Sequence, residues 1–204
     1  MDAIATMVAF FAGALTPQGA WGERAAWREA PAVELRGVDG AEVAGATVRA
    51  LWNEGWIFFE FSCRDEGIVS PGTRDGLDHF KIGDVVEIFL AREGVEPYAE
   101  IHATPAGRKT VYFFSGCREL APAPTAAQDV RVRSESTADG WRAVMSIPWA
   151  LAVGNPGDDA WQVLAGRYDY AAEGGVPVLS SFPGQRGVPD FHARSRYARL
   201  ELRR

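Results

Sequence analysis

Residues 47–63 read TVRALWNEGWIFFEFSC, and their alternation decides the fold. Val48, Ala50 and Trp52 fall on one side of an extended chain, with Thr47, Arg49 and Leu51 on the other. Asn53, Glu54 and Gly55 make a turn. Ile57, Phe59, Phe61 and Cys63 then form one face, opposite Trp56, Phe58, Glu60 and Ser62. Period two on both sides of a short polar loop is the signature of a β-hairpin. The same reading extends outward. Residues 84–90 place Val86, Ile88 and Leu90 opposite Val85, Glu87 and Phe89, and residues 97–104 place Tyr98, Glu100 and His102 opposite Ala99, Ile101 and Ala103. Further strands are expected over 109–114, 130–135, 141–147, 161–170 and 197–202, with one helical turn after Pro148. The apolar run from Ile4 to Ala12 is too short to span a bilayer, and Asp2 is the wrong charge for a signal peptide, so it reads as a buried first strand. No helical pattern is long enough for parallel crossovers. The expectation is an all-β, antiparallel β-sandwich of immunoglobulin-like or jelly-roll-like form, one domain over 1–204.

Composition agrees. Among 204 residues, 47% are hydrophobic and 24% charged, which excludes a long disordered tail. The 22 Gly and 12 Pro beside 7 Trp, 11 Phe and 5 Tyr suit strands and turns. A net charge of −6 with no basic stripe argues against nucleic-acid binding. Cys63 and Cys117 do not make a disulfide framework and read as free thiols.

No nucleophile elbow, zinc-protease helix, Walker loop or paired-cysteine motif is present. Glu87 and Glu100 fall on neighbouring strands and imitate a glycosidase pair, but polar groups on one sheet face explain them more simply, so no enzyme is expected. With His102 they form either a cluster for sugar hydroxyls or a solvated face. Asp65, Asp75 and Asp78, in a Gly-rich loop, are candidate ligands for calcium, a hard cation that takes several oxygens; loop solubility accounts for them equally.

Several stretches, in order, resemble family 9 carbohydrate-binding modules of the DOMON-like superfamily. They are residues 17–21 with 26–30, the hairpin at 48–59, the strand DVVEIFL at 84–90, residues 98–100 with 105–107, residues 140–149 with Ile147-Pro148-Trp149, and Phe191-His192 before 197–202. The resemblance implies a non-catalytic module that binds oligo- or polysaccharide, works beside a glycoside hydrolase in carbohydrate catabolism, and is secreted or periplasmic, without nucleic-acid or membrane partners. Some members of the family hold structural calcium. Family members clamp sugar rings between two tryptophans. Those positions fall here on Lys81, with Phe80 beside it, and on Phe191. The family's strand glutamate is Glu87, its arginine and asparagine positions fall on Glu100 and His102, and its amide positions fall near Gly166 and Val188. Phe80 or Tyr98 would have to supply the second ring, and His192 adjoins Phe191. One ring covering about 100 Å² contributes roughly 2.5 kcal/mol. With one carboxylate, that gives only about millimolar affinity after association costs of at least roughly 4 kcal/mol. The superfamily also contains haem-binding electron-transfer domains, for which Met7, Met145 and His192 would be the ligands. A degenerate module with a structural or interaction role is the third reading.

Overall fold

The computed structural model describes residues 5–154, 156–157 and 160–204, so Ile4 of the opening apolar run lies outside the described residues. The chain begins with β1 (Thr6–Phe11), a short helix α1 (Arg24–Glu29), β2 (Val33–Glu34), β3 (Arg36–Gly37), β4 (Ala46–Trp52) and β5 (Trp56–Arg64). The middle holds β6 (Val85–Arg92), β7 (Tyr98–Ala103), β8 (Lys109–Gly116) and β9 (Glu119–Ala121). Then follow β10 (Arg131–Thr137), β11 (Gly140–Pro148), β12 (Trp161–Asp169), β13 (Val178–Phe182) and β14 (Ala198–Arg203). A turn of 3-10 helix over Trp149–Ala152 follows Pro148, as expected.

The hairpin that opened the argument is present in full register, from Ala46 opposite Cys63 to Trp52 opposite Ile57. Its turn is built by Asn53. The side-chain oxygen accepts from the amides of Gly55 at 3.0 Å and Trp56 at 2.9 Å, and the side-chain amide donates to the Leu15 carbonyl at 2.6 Å. Asparagine is favoured in turns because its side chain satisfies such backbone donors.

The strands do not form two separate antiparallel layers. They form one 14-stranded sheet, whose main path is β10-β11-β5-β4-β1-β14-β12-β6-β7-β8-β9, with β2, β3 and β13 attached at its side. The sheet is also mixed, because β1 runs parallel to both of its neighbours, β4 and β14. Parallel neighbours need a long connection, and here the segment carrying α1 and nearly the whole chain supply them. Alternate residues of β4, β5 and β11 meet Val86, Ile88, Leu90, Ala99, Ile101, Val163 and Ala165 from the other half in one continuous core. Trp52, Trp141 and Trp149 belong to that core, and Trp27 is buried on the outer face against Phe58 and Val144.

Polar groups that alternation sends inward are paired. Arg167 on β12 is fully buried and sits 3.2 Å from Asp65 Oδ2 and 3.0 Å from Asp169 Oδ1. Asp84 nearby accepts from the Tyr170 amide at 2.8 Å and from the Val69 amide at 2.5 Å, and burial raises its carboxyl to about 6. Cys63 lies in the same region, unbonded, with its thiol pushed up to about 12 by burial. Removing one partner of such a group leaves an uncompensated charge. Arg167→Met is therefore expected to lower stability by about 3–5 kcal/mol in urea unfolding, and adding Asp65→Asn should recover part of that loss.

Candidate functional site

Strand register assembles the site on the outer face of β12, β6, β7 and β8. Gly166 lies opposite Glu87, Glu87 opposite His102, and His102 opposite Thr110. The next row is Leu164, Phe89, Glu100 and Tyr112. A hollow of about 310 Å³ opens over these rows, lined by Phe80, Glu87, Phe89, Glu100, Tyr168 and Phe191, with Arg118, Asp190 and His192 at its side.

The floor is acidic and nearly dry. Nε2 of His102 lies 2.5 Å from Glu100 Oε1 and 3.1 Å from Glu87 Oε1, and all three residues are buried. Burial pushes the Glu87 carboxyl up to about 8, against the pull of His102. Burial also opposes charge on His102, but the two carboxylates outweigh it and raise the imidazole. Glu100 Oε2 has no hydrogen-bond partner.

A second histidine faces that oxygen. His192 Nε2 stands 4.0 Å from Glu100 Oε2, too far for a direct hydrogen bond. The Arg118 amide donates to the Tyr98 hydroxyl at 3.3 Å, and that hydroxyl shares a hydrogen bond with His192 Nδ1 at 2.8 Å; with the hydroxyl proton directed at Nδ1, Nε2 is the protonated nitrogen. Burial lowers the His192 imidazole despite Glu100, which keeps it neutral. In that tautomer a donor and an acceptor face each other 4.0 Å apart.

The walls are aromatic. Phe80 packs edge-on against His102 at 5.8 Å and Tyr168 at 5.7 Å, and Tyr168 meets Phe191 at 5.9 Å. Phe191 lies close over Gly166: a Cβ there would come within 2.8 Å of its ring, so only glycine admits this approach.

Phe80, Glu87, Glu100, Phe191 and His192 therefore converge on one hollow, and three expected site residues do not face it. Lys81 points to solvent and pairs with Asp78 at 2.6 Å, because the 3-10 turn over His79–Lys81 turns Phe80 inward instead. Tyr98 is fully buried, stacked on Phe114 at 4.7 Å, and orients His192 rather than offering a ring. His102 lies beneath the two carboxylates with no exposed surface. Phe89 and Tyr168 were missed, although Phe89 shares the alternation of Glu87 and Tyr168 that of Gly166. Arg118 and Asp190, paired at 2.8 Å on the rim, come from turns that carry no such signal.

The residues named for calcium and for haem do not come together. Asp65 is held by Arg167, Asp75 accepts from the Lys109 amide at 3.1 Å, and Asp78 takes Lys81 and Tyr112. The acidic groups that do converge with Asp65 are Asp84 and Asp169, where a guanidinium already supplies the positive charge. Met7 and Met145 are sealed in the central core, whereas His192 packs outside it against Phe89, Tyr98 and Phe114.

No protein-family model and no curated protein matches the chain. Solved structures do. A Bacteroides uniformis protein assigned to carbohydrate binding superposes with a TM-score of 0.80 at 14% identity, over 98% of this chain and 100% of that one. A family 9 carbohydrate-binding module from Caldicellulosiruptor kristjanssonii, in complex with cellotriose, gives 0.69 at 12% identity over 97% and 93% of the two chains. The module from the same organism in complex with glucose gives 0.67 at 12% identity over 97% and 95%. The chain has the fold of the family 9 carbohydrate-binding modules. In this chain the rows around Glu87 and Glu100 lie outside the central core, beneath the hollow.

The buried floor has a pH signature. A carboxyl whose value is raised in the folded protein holds a proton that the unfolded chain releases, so stability falls as pH rises through that window. The raised His102 acts with the same sign, since its contribution is lost as pH climbs past its folded value. Glu87→Gln should flatten the decline in urea stability between about pH 5 and 8, by an amount on the order of 2 kcal/mol. An unchanged slope would assign the titration to another group.

Proposed function

We propose that this chain is a non-catalytic carbohydrate-binding module and that its site is the hollow over Glu87 and Glu100. The observation that carries the reading is the bracket formed by the buried, unpartnered Glu100 Oε2 and the Nε2 of His192, 4.0 Å apart. A sugar hydroxyl is both donor and acceptor, so one group accepts from His192 and donates to Glu100, each at about 2.8 Å. The rings of Phe80, Tyr168 and Phe191 offer apolar faces to the C–H surface of a sugar, as binding hollows with a few convergent polar groups commonly do. An uncharged guest fits best, because an anion would meet the carboxylates of Glu100 and Asp190.

A hydrolytic role for Glu87 and Glu100 is disfavoured. Glycosidases place the scissile bond between their two carboxyl groups. Here His102 occupies that place, within hydrogen-bonding distance of both. The wider reading is of a single module, active outside the cytoplasm, that holds a glycoside hydrolase near its polysaccharide. It rests on the family resemblance of the sequence and on the fold shared with modules solved with glucose and cellotriose. No helix among the described residues is long and apolar enough to cross a membrane.

Calorimetric titration with cellotriose and glucose tests the site. Phe80 is the cleaner probe, since it is only partly covered, whereas Phe191 is 6% exposed and its loss would disturb packing. Binding is expected, with Phe80→Ala weakening it about tenfold or more and His192→Ala about as much. Binding that both variants leave unchanged would move the site elsewhere. No heat from either sugar, followed by no hit on a glycan array, would remove the reading.

A further inference from the structure

The other outer face of the sheet carries a hollow of opposite character. It has a volume of about 310 Å³ and is lined by Arg24, Trp27, Arg28, Arg49, Glu60, Ser62 and Arg142. The arginines arrive from α1 and its start, from β4 and from β11. Four guanidinium groups face one carboxylate, so the lining carries a net charge of +3 in a chain whose total is −6. Counting Glu135 on the rim, which pairs with Arg24 at 2.5 Å and approaches Arg142 at 3.6 Å, still leaves +2.

Part of this charge has a structural use. Arg142 is almost fully buried, hydrogen-bonds to Glu60 through Nε, reaches the Trp21 carbonyl and lies 4.5 Å from the centre of the Trp21 ring. The rest does not. Arg49 reaches Glu60 only at 3.8 Å, and its buried Nε has no hydrogen-bond partner. Arg28 is exposed and makes no ion pair or hydrogen bond among the described residues. Like charges gathered around one depression repel each other, and an anion seated among them relieves that repulsion. The planar fork of arginine matches oxyanions in particular, donating two parallel hydrogen bonds to a carboxylate or sulfate.

We propose that this hollow is a second binding site, one for an oxyanion, either a free ion or a carboxylate or sulfate group carried on an acidic polysaccharide. It is independent of the sugar reading: its residues lie on α1, β4, β5 and β11, across the central core from Glu87 and Glu100.

The test is titration of the full chain with sodium sulfate and with trigalacturonate, read by calorimetry and by tryptophan fluorescence, since Trp27 lines the hollow. Saturable binding is expected at low ionic strength, weaker at about 0.2 M salt. The Arg28→Gln/Arg49→Gln variant should bind about tenfold more weakly or worse, with an unchanged circular dichroism spectrum. Should the double variant fold poorly, Arg28→Gln alone, at an exposed position, should still weaken binding several-fold. Tighter binding of trigalacturonate supports a polymer-borne group, and tighter binding of sulfate supports a free ion. The proposal is overturned if neither probe saturates at low salt, or if folded variants bind as tightly as the wild type.

Discussion

The structure depends on one constraint: a single curled sheet buries its core between its own two halves. Each strand can give only alternate residues to that core, and the rest must face outward. On β6 this sends Val86, Ile88 and Leu90 inward and Glu87 and Phe89 outward, and on β7 it sends Ala99 and Ile101 inward and Glu100 and His102 outward. A slip of one residue in either strand would drive a carboxylate into the apolar core, so the register that stabilises the fold also places the site. The parallel strand β1 holds the two halves in one path, bonded to β4 on one side and β14 on the other.

That placement has an energetic consequence. Glu87 and Glu100 face outward, yet Phe80, Phe191 and the 190–192 turn cover them until both are almost fully buried. Burying an isolated carboxylate is costly, and His102 offsets part of the cost by approaching both. It does not offset all of it. Glu100 Oε2 remains without a partner, a deficit of about 1–3 kcal/mol for a buried acceptor. A folded chain can carry such a deficit where a ligand removes it, which is why unsatisfied groups concentrate at binding sites.

Much of this was legible in the sequence because period two is a local property. The hairpin at 47–63, the faces of β6 and β7, and the pairing of Glu87 with His102 all follow from alternation and a turn. What escaped depends on distant partners. Strand β13 lies in a stretch rich in glycine and proline and is extended because it pairs with both β12 and β3. The parallel pairing of β1 has no local marker. Asp65, Asp75 and Asp78 are near in sequence but are claimed by Arg167, the Lys109 amide and the Tyr112 hydroxyl, which come from elsewhere in the chain. At Lys81 the 3-10 turn over His79–Lys81 sends the lysine to solvent and brings Phe80 to the hollow, which alternation cannot show.

The same construction produces two hollows with opposite charge. Over Glu87 and Glu100 the outer face is acidic and walled with rings, whereas over Arg49 and Arg142 it is basic. Facing layers of a β-protein pack about 10 Å apart. Side chains on the two outer faces stand farther apart than that, and the attraction between opposite charges falls with distance. The acidic floor therefore does little to neutralise the arginines behind it, and the total charge of −6 describes neither surface. The character of each hollow is set locally. The acidic, ring-walled hollow lies on one side of the sheet and the basic hollow on the other, and the apolar core between them lets both persist in one chain.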